Sequence, residues 1–314
     1  MSLNIVFMGT PEFSVAPLNA LIKNKFNVMW VYAQPSKRSK RGQKVNASAI
    51  EEFCKKNKLP FSSPINLNTE EEIKKFKLLS PDIVVVVAYG QIISKSYLDL
   101  FKFGFINIHA SLLPKWRGAA PIQRAIMNRD KKIGVSIMKI EEKLDSGPIL
   151  AKKEFDLDQN ITHGEIEKQL STTGANLLIE SLKNIENLNS KFINQIHSEA
   201  TYAQKIDKNE TKINWNLEAN KVLSHIHGLS PRPGAWFEYQ KERFKVLKAK
   251  ISSINGKPAS VLDENLTISC KSNSIQILEL QRQGKKKQSA KKFLLGNKIK
   301  NGSILIWCKD IKSK

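Results

Sequence analysis

The chain reads as an α/β protein: a doubly wound N-terminal domain followed by a small β-barrel. Three observations predict this. Over the first two-thirds, short apolar runs alternate with stretches of helical spacing, the pattern of a sheet covered by helices on both faces. One of those runs, Ile83-Val-Val-Val-Val-Ala88, is apolar throughout, as a strand inside a parallel sheet must be. From Trp236 onward the pattern changes to short alternating runs divided by Gly and Pro turns, which suits an antiparallel sheet closing on itself.

Taken in order, Leu3 to Met8 is a strand ended by Gly9-Thr-Pro11, and Val15 to Ile22 has helical spacing. That is a strand, a tight turn and a helix. Val28 to Ala33 is the next strand, Ala47 to Lys58 a helix, and Ile83 to Ala88 the buried central strand. Phe105 to His109 and Gly134 to Ile140 read as two further strands. Ile161 to Leu188 gives one or two helices, with Thr162-x-x-Glu165 as a capping box. Asn189 to Gln204 is a polar connector, and Asp207 to His227 has helical character. Trp236–Tyr239, Phe244–Ala249, Leu266–Cys270 and Ser274–Leu280 are the strands of the barrel.

Composition narrows the function. At 314 residues, 41% hydrophobic and 25% charged, the chain has material for two cores and an ordinary globular balance. The formal charge of +22 is less ordinary, and it favours a polyanionic partner. Residues 207–314 carry 22 basic and 9 acidic side chains, net +13, against +9 for the longer remainder; the last third is where such a partner is expected. Cys54, Cys270 and Cys308 lie far apart without a Cys-x-x-Cys pair, as idle thiols in a reducing compartment do. No metal site is expected: there is no His-Glu-x-x-His, and His225-x-His227 diverges by roughly 200° on a helix. No run approaches the roughly 20 apolar residues of a membrane span, nor does a charged n-region open the chain. A soluble, cytoplasmic protein is expected. The first turn, Gly9-Thr-Pro-Glu-Phe13, lacks the Gly-x-Gly-x-x-Gly of dinucleotide sites, and no Gly-Lys-Ser/Thr loop is present, so nicotinamide, flavin and ATP are disfavoured.

The chemistry is concentrated at Phe105-Ile-Asn-Ile-His109. Residues two apart in a strand point the same way, so Asn107 and His109 project together about 6.5 Å apart. The strand then breaks into a Pro- and Gly-bounded loop. A third polar group, Asp145, sits in the loop after the Gly134–Ile140 strand. An amide, an imidazole and a carboxylate at strand ends supply an untitrating donor, a proton carrier and an orienting base.

Asn107-x-His109, Ser111-Leu-Leu-Pro114, Trp116-Arg-Gly-Ala-Ala-Pro-Ile-Gln123 and Leu144-Asp-Ser-Gly147 together resemble the folate-dependent formyltransferases, in their tRNA-acting branch. Phe7 to Phe13, Val85 to Ile93 and Leu229 to Trp236 extend the resemblance over nearly the whole chain. It implies a Rossmann-like catalytic domain over 1–188, a linker over 189–206, and an OB-like tRNA-binding barrel over 207–314. It implies transfer of the formyl group of 10-formyltetrahydrofolate to the amino group of methionyl-initiator tRNA by direct amine attack, with Asn107, His109 and Asp145 catalytic, Asn107 and His109 stabilising the oxyanion, His109 and Asp145 handling the proton, and no covalent enzyme intermediate. Ser111, Leu112, Leu113 and Pro114 then contact the folate. The loop from Gln34 to Lys44 resembles the family's insertion into the acceptor stem, with Lys37, Arg38, Lys40, Arg41 and Lys44 as RNA contacts and Arg41 matching its characteristic arginine. A monomer is the family expectation. Relatives that formylate glycinamide ribotide or an amino sugar share the three catalytic residues and are the nearest alternative; the glycinamide enzyme usually ends after one domain, where this chain continues. An RNA-binding protein without catalysis is a further alternative, against which the retention of Asn107, His109 and Asp145 counts.

Overall fold

The computed structural model describes residues 3–38, 45–98, 100–185, 191–296 and 299–305. The chain forms two compact units. The first comprises Met1–Gly118, Gly134–Phe155 and Glu167–Tyr202; the second comprises Ala119–Ile133, Asp156–Ile166 and Ala203–Lys314. The units are discontinuous in sequence, whereas the expected division at 188 and 206 is a single cut.

In chain order the first unit contains β1 (Asn4–Gly9), α1 (Val15–Lys23), β2 (Asn27–Tyr32), β3 (Lys37–Arg38), β4 (Val45–Asn46) and α2 (Ala49–Asn57). β5 (Phe61–Ser62), α3 (Glu70–Leu79), β6 (Ile83–Val87), α4 (Lys95–Leu98), β7 (Phe105–His109) and β8 (Arg117–Gly118) follow. α5 (Pro121–Met127), which belongs to the second unit, precedes β9 (Lys132–Lys139) and β10 (Ile149–Asp156), and α6 (His163–Lys183) and β11 (Tyr202–Ala203) each straddle the division in sequence. The main sheet has the order β10-β9-β7-β6-β1-β2-β5. From β5 to β7 every pairing is parallel, and β6 is fully buried as its composition requires. β7 pairs with β9 antiparallel, so the doubly wound sheet is mixed at one side, a common variation.

Local chemistry sets the helices. Ser48 and Glu51 close a reciprocal capping box at α2, and Thr69 caps α3 by accepting the Glu72 N–H, each satisfying N–H groups that a helix start leaves unpaired. At α6 the expected box is half formed: Glu165 accepts from both the Thr162 N–H and its hydroxyl. Beneath α3 and α4, Phe76 is wrapped by Tyr32, Tyr97, Phe101 and Phe105, and each such ring contributes about 2–3 kcal/mol by burial.

The second unit adds α7 (Ala219–Leu229), β12 (Ala235–Tyr239), β13 (Glu242–Ser252), β14 (Thr267–Ser269), β15 (Ser274–Arg282), β16 (Gln288–Ser289) and α8 (Ala290–Gly296). Its antiparallel sheet runs β12-β13-β15-β14, with β16 on β15. Register shifts around Lys248 bend β13, which curls the sheet as a bulge does, and the result is a small barrel-like domain. Inside it Phe237 stacks on Phe244 and Phe293 meets Phe244 edge-on, and α7 lays Val222, Leu223, Ile226 and Leu229 on that core. Helical structure was expected from Asp207, but α7 begins at Ala219. Asp207 and Asn214 instead accept the N–H groups two residues on, an Asx-turn geometry that competes with helix. No described helix is long and apolar enough to cross a membrane.

Candidate active site

The loops that leave β1, β2 and β6 at their carboxyl ends are tied together. Thr10 Oγ1 donates to the Tyr89 carbonyl at 2.9 Å and accepts the Gln34 N–H at 3.2 Å, and Ser14 Oγ donates to the Val87 carbonyl at 2.6 Å. Gly9 permits this closeness, since a Cβ there would lie 2.7 Å from both Phe7 and Ser14. Such carboxyl-end crevices are where open α/β sheets bind ligands.

β7 delivers the expected pair to that end of the sheet. Ile106 and Ile108 are buried, Asn107 is half-buried and His109 is 6% exposed. Among the described residues nothing hydrogen-bonds the Asn107 amide, which leaves its two donors for a ligand. The His109 ring is held at both nitrogens: Nε2 lies 2.9 Å from the Trp116 carbonyl, and Nδ1 lies 3.6 Å from Asp145 Oδ2. A carbonyl only accepts, so Nε2 carries a hydrogen and a proton reaching the neutral ring arrives at Nδ1, facing the carboxylate. Asp145 Oδ2 also accepts the Gly118 N–H at 2.8 Å. Asp145 adopts φ +46 and Trp116 φ +62, left-handed conformations that ordinary residues hold only when their surroundings impose them.

The structure therefore joins His109 with Asp145 and keeps Asn107 on the same strand. The Ser111–Pro114 turn divides. Ser111 Oγ donates to the Lys115 carbonyl at 2.6 Å, and Leu113 is buried against Met138 and Ile149, so these two build the turn. Leu112 and Pro114 are half-buried and present the apolar surface. Ser136 Oγ, donating to the Ser111 carbonyl and accepting the Leu113 N–H, holds the turn from β9. Of the basic loop, Lys37 and Arg38 form β3, which pairs antiparallel with β4. Lys40, Arg41 and Lys44 lie outside the described residues. The loop's near end is anchored by Ser36 Oγ donating to Glu51 Oε2 at 2.7 Å, on the carboxylate that caps α2.

Three features escaped sequence reasoning. Gln195 and Thr201, in the connector, contact the loops around Asp145 and Trp116, and no local pattern marks them. In the second unit, Lys208, Lys212, Trp236, Arg243, Lys245 and Arg282 line an open groove of about 790 Å³. The Trp236 ring lies 4.1 Å from the Arg243 guanidinium and 5.4 Å from Lys212 Nζ. Lys285, Lys286 and Lys287, together with Lys292 of α8, line a neighbouring hollow with Arg282. Among the described residues no cluster of His, Cys, Asp and Glu has metal-binding geometry.

The family model described as "Formyl transferase" matches residues 3–182, and that described as "Formyl transferase, C-terminal domain" matches residues 205–298. A methionyl-tRNA formyltransferase of Pelagibacter ubique is 47% identical over 305 residues, covering 96% of this chain and 98% of the relative. One from Bradyrhizobium diazoefficiens is 40% identical, covering 96% and 99%. Among solved structures, HypX from Aquifex aeolicus in complex with tetrahydrofolic acid matches 94% of this chain and 47% of its own, with a TM-score of 0.65 at 16% identity, a likeness of fold.

Proposed function

This chain belongs to the formyl transferase family, among the methionyl-tRNA formyltransferases, and from that premise we propose that it transfers the formyl group of 10-formyltetrahydrofolate to the free amino group of methionyl-initiator tRNA. The observation that carries the mechanism is the Asn107 amide, without a hydrogen-bond partner among the described residues, two residues from an imidazole that faces Asp145 at 3.6 Å.

In the transfer, the lone pair of the tRNA amine attacks the formyl carbon, a C–N bond forms, and the carbonyl π pair moves to oxygen. The Asn107 amide donates to that developing oxyanion, a preorganised donor that never titrates. The amine's proton is taken up at the Asp145–His109 pair, directly or through a water, and passes to the folate nitrogen as its bond to the formyl carbon breaks. No enzyme nucleophile takes part, so the atoms balance as formyl-amine plus tetrahydrofolate. Leu112 and Pro114 form an apolar wall for the flat folate.

The tRNA is held by charge. The basic loop between β2 and α2 serves the acceptor stem, and the basic groove around Trp236 serves the phosphate backbone. The test is formyl transfer from labelled donor to methionine-charged initiator tRNA, charged elongator tRNA and glycinamide ribotide in parallel. Transfer to the initiator alone is expected; transfer only to the small amine would overturn the assignment.

A further inference from the structure

Arg117 is an arginine buried to 4% exposure whose charge is spent on neutral acceptors. Among the described residues no carboxylate pairs with it. Its Nε–H and Nη2–H both donate to Gln195 Oε1, at 3.1 and 2.7 Å, and Nη2 also donates to His197 Nδ1 at 3.1 Å. Gln195 is itself 6% exposed and uses both amide hydrogens. They go to the Asp145 carbonyl at 2.9 Å and the Gly147 carbonyl at 2.7 Å. A guanidinium drawing on the amide oxygen polarises the amide and strengthens its two N–H donors. The chain Arg117, Gln195, Asp145 therefore ends on the backbone of a residue held at φ +46, whose carboxylate faces His109.

The rest of the connector runs along the same loops. Ile193 exchanges both backbone hydrogen bonds with Ile149 at 2.8 and 2.9 Å. The Thr201 carbonyl accepts the Arg117 N–H at 2.9 Å, and Thr201 Oγ1 accepts the Trp116 N–H at 2.9 Å, fixing the residue whose carbonyl holds His109 Nε2. On the opposite side Gly147 passes so close to β9 that a Cβ would strike the Lys139 carbonyl. The loop is thus gripped from two sides, and the side-chain grip comes from Gln195.

We propose that residues 193–201 form a strap that positions the catalytic pair, with Gln195 as the positioning residue that sets the Asp145 backbone and Arg117 as the group that fixes and polarises Gln195. The inference rests on the reading of Asp145 given under Proposed function. It separates the two ends of Gln195, since the oxygen serves Arg117 and the nitrogen serves the loop.

Gln195→Glu tests that separation. The introduced carboxylate gives buried Arg117 an ion-pair partner, so the fold is retained, but it has no hydrogens for the Asp145 and Gly147 carbonyls and repels both. Misplacement of a reacting group on the order of 1 Å costs about 10²-fold. The expected result is a fall in kcat of about 10²-fold with KM for charged tRNA, tetrahydrofolate affinity and melting temperature kept. Gln195→Met, which removes both ends, is the second variant and is expected to lose kcat similarly. Asp145→Ala is the reference: its loss and that of Gln195→Glu should combine to less than their product, because both act through one carboxylate. Wild-type kcat in Gln195→Glu with Asp145→Ala inactive would overturn the strap alone. Multiplicative losses, or a kcat loss matched by lost folate affinity and melting temperature, would reduce Gln195 to a structural role. Full activity in Asp145→Ala would remove the reading on which the inference stands.

Discussion

Two histidines buried in the second unit make it acid-sensitive between pH 7 and 5. His163 and His227 are 8% and 0% exposed, and the Nδ1 atoms of both are buried without a hydrogen-bond partner among the described residues. Burial holds each ring well below the usual 6.5, at about 4, because a charged imidazole there loses its hydration. A folded-state value below the unfolded one means that the unfolded chain binds the proton first as pH falls. The stability contributed by each neutral ring is complete above about 6.5 and is lost progressively as pH falls towards about 4. At pH 5 each histidine accounts for about 2 kcal/mol of loss relative to pH 7, about 4 kcal/mol together. That is a large share of the roughly 5–15 kcal/mol that stabilises a domain. Urea unfolding at the two pH values reads it out: a loss of that size lowers the midpoint by about 1 M or more. The comparison is with His163→Leu/His227→Gln, in which Gln keeps an acceptor for the Ala249 N–H that His227 Nε2 now accepts. His225, also held low chiefly by burial, contributes equally to both proteins and cancels. The double variant should lose much less stability than the wild type from pH 7 to 5. An equal loss in both proteins, or a flat wild-type response, refutes the reasoning.

Asp145→Asn should lower kcat by about 10²- to 10⁴-fold, about 3–5 kcal/mol of barrier, the range of a lost acid–base group; its amide oxygen still accepts the Gly118 N–H, so melting temperature should change little. Arg243→Ala removes the cation 4.1 Å from the Trp236 ring in the basic groove, and should weaken tRNA binding and shallow its log–log salt slope by about 0.7–0.9, one phosphate contact, without altering folate affinity. Arg41→Ala should raise KM for charged initiator tRNA while leaving tetrahydrofolate binding unchanged; equal impairment of both would indicate misfolding instead.

Much of the first unit could be read in advance because its determinants are local. β6 is apolar at every position, and a strand buried on both faces has no other composition available. Asn107 and His109 share a face because a strand alternates, whatever surrounds it. The antiparallel turn of β9 was not legible, since Gly134 to Ile140 has the same alternation in either direction; what decides it is pairing with β7, where His109 meets Ser136. The helix expected over Asp207 to His227 forms only from Ala219, after a short 3-10 turn at Asn209–Thr211, because two Asx-turns satisfy the backbone ahead of it. In the second unit the alternation of Phe244 to Ala249 was visible, but the register shifts around Lys248 that bend the sheet are a property of the pair of strands.

The connector marks where such reading stops. Its polar composition suits a linker, and a linker was expected, yet Ile193, Gln195, His197 and Thr201 each bond to the loops that hold the catalytic pair. Polar side chains in a solvated tether and in a buried strap are the same residues; they differ only in what lies across from them. Gln195 and Asp145 lie 50 positions apart in the sequence, and neither residue carries a periodicity that points to the other. The left-handed φ of Asp145 explains why the contact matters: a non-glycine residue in that conformation persists only when its surroundings hold it, and in this chain one amide hydrogen of a buried glutamine holds the Asp145 carbonyl while the other holds that of Gly147. A site whose reactive groups follow from strand alternation thus depends for its geometry on a segment that alternation cannot reach, which is why mutating the strap should change kcat while leaving every recognisable motif intact.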